Sequence, residues 1–254
     1  MCFDAAQIAQ SIQKGLDAIQ YFSTTSISKK IVQLPVQDYY HVSGFSHPEL
    51  MVIHRQETSL DVDLFRWGLI PSWVNNIDKA IELSNKTLNA RGETIFEKIS
   101  FRDAAIHGRA IIPLSGFYEH QHHGLEKRPH FIYAAEQSPL LVAGLVSFWY
   151  DSQHAKTIKS CSIVTRKAND MMSEIHNNPK LSEPRMPLIL QEDQLDIWLT
   201  GDEKEAKALV SAQTELNLKH HTVRKLKGKQ ALGNQPAVMA PYKYPDNNLL
   251  TLFN

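Results

Sequence analysis

Strand-forming runs that follow one another without a helix-length segment between them constrain this chain most. Residues 110–114, 130–135, 140–149 and 158–165 are β-branched and aromatic stretches divided by Gly, Pro and polar clusters. Residues 50–55 and 62–67 have the same character, and 186–190 adds another run. Consecutive strands pair most simply as antiparallel neighbours, whereas a doubly wound parallel sheet needs a helix after each strand. The pattern therefore predicts an α+β fold, a mainly antiparallel sheet core with helices at its periphery. Ile8, Ile12, Leu16 and Ile19 recur at helical spacing, which predicts an amphipathic helix within residues 4–22, starting directly after Cys2. Further helices are expected after Trp73 through Leu83, within 93–106, and over 167–175, 191–199 and 202–212. Residues 23–28 read as a polar loop. No Gly/Ser or Pro tract divides the chain, so residues 1–254 are expected to form one domain, with a less regular tail from about residue 220. That tail gathers Arg224, Lys225, Lys227 and Lys229, either as a solvated basic loop or as a phosphate contact.

Charge and cysteine usage bound the function. Lys and Arg total 27 and Asp and Glu total 27, so no global field draws the protein to nucleic acid. A nucleic-acid site would have to be a local patch on a neutral body. The only cysteines are Cys2 and Cys161, too few for a disulfide framework or a four-cysteine zinc site. Neither a secretory signal nor an apolar run of membrane-spanning length is evident. A reducing cytoplasm is expected, because a free thiol at the chain end oxidises readily outside the cell.

Cys2 is the most informative single position. Removal of Met1, which aminopeptidases perform when the next side chain is small, would leave an α-amine and a thiol on adjacent carbons. Their reference pKa values are about 8 and about 8.5, so both are partly nucleophilic near neutral pH. An aldehyde can condense with the amine to a Schiff base, and the thiol can then close a thiazolidine. An internal cysteine cannot do this, since its nitrogen belongs to a resonance-stabilised amide. Many chains begin Met-Cys by chance, and the start alone assigns nothing.

Other segments carry possible chemistry. Residues 67–73 (Trp-Gly-Leu-Ile-Pro-Ser-Trp) join a strand to a loop, and Asn89 stands two residues before Arg91 in Leu-Asn-Ala-Arg-Gly-Glu-Thr. Residues 112–119 run from a buried strand into a Gly-containing turn that ends on Glu119. Glu174-Ile175-His176 is followed by Arg185-Met186-Pro187. Each has a bland reading: tryptophans are mostly core, Glu119 could cap a turn, and His176 could be a surface histidine. His120, His122 and His123 read as an exposed hairpin loop, with no metal site expected. Cys161 reads as a small buried hydrophobe.

Taken together and in this order, the segments resemble the SRAP family of abasic-site processing proteins, over roughly residues 40–190 plus Cys2. The resemblance implies a barrel-like sheet core and covalent capture of abasic sites in single-stranded DNA, as a thiazolidine crosslink that shields the lesion. By motif, Cys2 is the nucleophile, Asn89 orients its reacting groups, Glu119 serves the Schiff-base and ring-opening proton transfers, and His176 acts as general acid/base. Arg91, Arg102 and Arg185 are expected to hold phosphates. Trp67 and Trp73 are expected to stack on unpaired bases. No cofactor and no metal is implied, and a monomer, nucleoid-associated if bacterial, is expected. The chain departs from the family pattern where Phe3 and Asp4 replace a Gly-Arg pair, so Asp4 is expected to repel phosphate there. It also departs at the insertion 177–184, ahead of Arg185. Two other classes stay open. One is an N-terminal-nucleophile cysteine peptidase or amidase, whose only substrate could be its own Met1. The other is a non-catalytic single-stranded DNA-binding module.

Overall fold

The computed structural model describes residues 2–23, 25–124, 126–212 and 215–245. Its first half contains strands β1 (Asp4–Gln7), β2 (Tyr39–Ser43), β3 (Glu49–Gln56), β4 (Ser59–Trp67), β5 (Asn89–Arg91) and β6 (Arg109–Leu114). The second half adds β7 (Gly116–His123), β8 (Glu126–Ala134), β9 (Leu140–Asp151), β10 (Lys156–Lys167), β11 (Arg185–Pro187) and β12 (Leu218–Thr222). Helices α1 (Ala9–Asp17), α2 (Gln20–Ser23), α3 (Ile27–Gln33) and α4 (Ile77–Ser84) precede α5 (Arg102–His107) and α6 (Asp170–Ile175). The last two are α7 (Leu195–Thr200) and α8 (Glu203–Ser211).

Five strands close on themselves in the order β10-β4-β3-β6-β9, because β9 also pairs with β10. Every pair in this ring is antiparallel except β4 with β10. Closure leaves no unpaired edge among these strands, which is how barrels avoid templating aggregation. The short strands β5 and β11 add to the far end of β10. A second, wholly antiparallel sheet runs β12-β8-β7-β1-β2. This is the α+β, barrel-like architecture expected.

Alternation along β3 sends its side chains to two cores, as a strand's period of two requires. Met51 and Ile53 pack with Ile12 and Leu16 of α1 and Trp198 of α7. Leu50 and Val52 pack with Cys2, Ala5 of β1 and Phe117 of β7. Helices α1, α3, α7 and α8 thus pack in one core, and the second sheet and α6 in the other.

The start of the chain departs from expectation. Residues Asp4–Gln7 form a buried strand, and the helix begins only at Ala9. Tertiary pairing overrides local preference here: β1 is held by β2 on one side and β7 on the other. Gln7 explains the choice. Its amide nitrogen donates to the carbonyls of Met51 at 3.0 Å and Pro113 at 2.9 Å, and its oxygen accepts from Met51 N at 2.7 Å. One side chain thereby ties β1 to β3 and β6. Gln7→Ala would leave these buried backbone groups unpaired and is expected to cost about 2–4 kcal/mol. Urea unfolding checks this, and an unchanged midpoint would remove the tie.

The second departure is β7. The run ending on Glu119 does not turn there but continues as strand to His123. His120 and His122 are accordingly half-buried on a hairpin arm, and of the three histidines only His123 is exposed. No helix among the described residues is long and apolar enough to cross a membrane.

Candidate functional site

Each of the four candidate catalytic residues lies in or beside one apolar cluster. Cys2 belongs to it directly, together with Leu88 next to Asn89, Ile175 next to His176, and Phe117, which shares a strand face with Glu119. The β1–β7 ladder pairs Asp4 with Tyr118 and Ala5 with Phe117. Continued backward, that register brings Cys2 alongside the Glu119–His120 peptide. Phe3 is fixed on the other side, where its carbonyl accepts from Gly44 N at 2.7 Å. Helix α6 is capped by Asn169, whose side chain accepts from Met172 N at 2.9 Å. Its C-terminal end delivers His176 to β7, and Gln121 of β7 donates to Glu174 O at 3.2 Å.

His176 Nε2 then stands 3.9 Å from Glu119 Oε2, both residues being buried. The Arg185 peptide orients the ring: its N–H donates to Nδ1 at 2.9 Å, and its carbonyl lies 3.0 Å from the same atom. An amide N–H can only donate, so in the neutral ring Nδ1 accepts and the proton sits on Nε2, facing Glu119. In the charged ring the Arg185 carbonyl can take the Nδ1 proton instead. The inserted segment therefore does not separate His176 from Arg185. Asn177, its first residue, exchanges hydrogen bonds of 2.7 and 3.0 Å with the His122 backbone.

Burial sets the charges. It raises the Glu119 pKa above the ordinary carboxylate range and lowers that of His176 to about 4. Glu119 holds its proton to a higher pH than a surface glutamate, while His176 is a free base at neutral pH. Burial, reinforced by the charge of Glu119, also pushes the Cys2 thiol well up. A thiol in this setting reacts only if a neighbour takes its proton. The Asn89 side chain adds a polar feature: its amide nitrogen and oxygen are both buried without a hydrogen-bond partner. A buried amide in that state is costly unless a ligand or substrate completes it.

Two expected DNA contacts are corrected by burial. Trp67 is fully buried and its indole N–H donates to Leu88 O at 2.8 Å, so no base can reach its ring. Arg185 is 3% exposed, and its guanidinium is taken by Glu93 at 3.0 and 2.6 Å, by Glu183 at 3.2 Å and by Thr165 O at 2.8 Å. A buried guanidinium needs such counter-charges, and a phosphate would have to displace them. Arg91 and Arg102 are exposed, and Trp73 is 46% exposed with its N–H donating to Ile99 O. Ser72 and Asp103, neighbours of Trp73 and Arg102, line a cavity of about 810 Å³ that also takes in His54 and Phe148. None of the four candidate catalytic residues lines that cavity.

Asp4 also differs from expectation. It is buried and bound to His41 Nε2 at 3.0 Å. Burial pushes its carboxyl up, but the His41 hydrogen bond and the charge of Lys227 outweigh this and hold it below the ordinary range. Its charge is engaged inside the sheet and does not face a phosphate. Sequence spacing gave no sign of His41, which meets Asp4 only through the β1–β2 ladder.

The histidines make stability depend on pH. His130 is lowered to about 4 by burial and by the charge of His220, whose Nδ1 lies 3.0 Å from its own. With His176, this gives two folded values below the unfolded reference of 6.5. Between about 4 and about 6.5 the unfolded chain binds protons that the folded chain refuses. Stability present above that window is expected to fall as pH drops through it. Urea midpoints at pH 7.5 and 4.5 check this, and His130→Phe should flatten the slope; a wild-type midpoint independent of pH would refute the assignment.

Similarity to known proteins shows the family and the fold. A family profile described as SOS response associated peptidase (SRAP) matches residues 1–229. The abasic site processing protein HMCES of Xenopus tropicalis is 32% identical over 195 residues, covering 69% of this chain and 56% of that protein. The abasic site processing protein YoqW of Bacillus subtilis (strain 168) is 36% identical over 135 residues, covering 53% of this chain and 55% of that protein. The chain spans about half the length of these curated relatives. A crystal structure of a Bacteroides thetaiotaomicron protein superposes with a TM-score of 0.79 at 29% identity, covering 95% of this chain and 100% of that one.

Proposed function

This chain belongs to the SRAP family, and from that premise we propose that it captures abasic sites in single-stranded DNA covalently through Cys2, once Met1 has been removed. What supports this reading is the Glu119–His176 pair at 3.9 Å, a Cys2 thiol that feels the charge of Glu119, and an Asn89 amide with both polar atoms unpartnered. The ring-opened sugar of an abasic site presents an aldehyde. The Cys2 amine adds to it, the carbinolamine loses water to an imine, and the thiol adds to the imine carbon to close the thiazolidine. One water leaves overall. Glu119, whose burial keeps its carboxyl protonated to higher pH than a surface glutamate, supplies the proton that dehydration needs, and neutral His176 takes the proton that the buried thiol cannot shed unaided. The Asn89 amide, with a donor and an acceptor both unused, holds the amine or the sugar oxygen in place.

Exposed Arg91 and Arg102 contact phosphates, and the free face of Trp73 receives a base. An abasic nucleotide has no base to unstack, so exposing its sugar costs less than flipping an intact one.

The test uses Met1-free protein and single-stranded DNA containing one abasic site. A denaturation-resistant adduct with the mass of protein plus DNA minus water is expected, and none with intact DNA. Adduct of equal yield on intact DNA would overturn the reading. A second reading has support in the family's description as a peptidase: the same residues could release Met1 by hydrolysing the Met1–Cys2 bond. Intact mass separates the two. Met1 lost in wild type but kept in Glu119→Gln and His176→Ala points to self-processing, and equal loss in all three excludes it.

A further inference from the structure

Phe45 is 53% exposed, large and apolar, yet it sits on a turn held by three hydrogen bonds. Gly44 N donates to Phe3 O at 2.7 Å, His47 N to Gly44 O at 2.9 Å, and Ser46 Oγ to Ser43 O at 2.7 Å. Beneath the turn lies Trp67: a Cβ on Gly44 would come within 3.1 Å of its ring, so the glycine lets the turn rest on the indole. The Phe45 ring is tilted against Phe3 at 5.0 Å between centroids, and Phe3 directly follows Cys2. Folding gains little from an aromatic ring left half in water, and a fixed, exposed ring is suited to stacking.

A cation stands beside it. Lys227 Nζ lies 5.9 Å from the centre of the Phe45 ring. Two of its neighbours in the basic tail are otherwise occupied: Lys225 pairs with Glu126 at 3.3 Å, and the Arg224 guanidinium lies 4.7 Å over the Tyr242 ring. Lys227 is exposed and enters none of the ion pairs among the described residues. Asp4, a carboxylate that feels its charge, is already bound to His41. On a protein of zero net charge, this ammonium is a local positive charge beside the ring that packs on Phe3, the residue after Cys2.

We infer that Phe45, backed by Phe3, and Lys227 form a nucleotide subsite beside Cys2, where a base of single-stranded DNA stacks on the Phe45 ring and the adjoining phosphate is held by Lys227. Stacking on an aromatic ring with a nearby cation accepts any base, as a lesion-binding protein requires. A paired duplex cannot offer a base face in this way, so the subsite selects single strands. This inference rests on the single-stranded DNA reading above and deepens it.

The probe is a fluorescein-labelled single strand carrying one tetrahydrofuran residue, which has no aldehyde and cannot crosslink. Anisotropy titrations over a range of salt give affinity and its salt slope. Phe45→Ala is expected to bind about tenfold more weakly, within the range known for loss of one base–aromatic stack. Phe45→Trp, which keeps a stacking face, is expected to retain wild-type affinity. Lys227→Gln is expected to lower the salt slope by about 0.7, the value of one single-strand phosphate contact. Both side chains are exposed, so thermal unfolding should be unchanged. Wild-type affinity and slope in both Phe45→Ala and Lys227→Gln would overturn the subsite, as would failure of the wild type to bind the probe. Failure of the Cys2 reading looks different: binding responds to these substitutions while wild type forms no adduct with true abasic DNA.

Discussion

Cys2→Ala is expected to lose the denaturation-resistant adduct with abasic single-stranded DNA completely. Alanine is also small enough for Met1 to be removed, so the variant keeps a free α-amine and can still form the imine. Without sulfur nothing closes the ring, and the imine hydrolyses on denaturation. Borohydride should therefore recover an adduct from Cys2→Ala that is absent without reductant, which separates loss of trapping from loss of binding. The substitution deletes one buried sulfur, whose cavity costs about 1 kcal/mol, so the fold should survive. A stable adduct in Cys2→Ala at the wild-type yield would refute the assignment of the thiol.

Glu119→Gln is expected to slow adduct formation by about a hundredfold or more, the usual scale for a general acid–base residue. The glutamine fills the same space and can still accept the His120 N–H, which the Glu119 carboxylate accepts at 3.0 Å. Stability argues from the opposite direction. The folded carboxyl has a raised pKa, so the unfolded chain sheds its proton first as pH rises. Folding is penalised above the unfolded value, and a neutral glutamine removes that penalty. The variant should unfold at an equal or higher urea concentration at pH 7.5 while reacting slowly, a combination that damage to the fold cannot produce. The pH profile should change as well. Wild-type rate is expected to fall at low pH as His176 protonates near pH 4, and at high pH as Glu119 ionises. In Glu119→Gln the alkaline limb disappears; a rate within a few-fold of wild type across this range would exclude a proton-transfer role.

The sequence was legible where a strand announces itself by its own side chains. β3, β4, β6, β9 and β10 are rich in β-branched and aromatic residues, and their limits were read nearly as they stand. β1 was not, because Asp4-Ala5-Ala6-Gln7 carries three good helix formers and continues into a helical repeat. What makes it a strand is partners far along the chain. β7 was only half read, since its outer end is a polar His-Gln-His-His run held by pairing with β8. Asn89, Glu119 and His176 stand out by motif alone, and their placement in sequence next to Leu88, Tyr118 and Ile175 gives no sign that Glu119 and His176 meet at 3.9 Å. Trp67 and Arg185 went the other way. Type and position suggested a base platform and a phosphate clamp, but depth inside the protein made one a floor beneath Gly44 and the other the centre of a carboxylate pair.

The interior position of β1 has a mechanical consequence. A strand gripped along both sides and pulled along its own axis must shear its hydrogen bonds together, whereas a dangling tail peels away one bond at a time. Force applied at Cys2 enters β1, spreads into β2 and β7, and reaches the barrel through Gln7. A DNA strand joined at that point, as proposed, would pull on a strand paired along both of its edges.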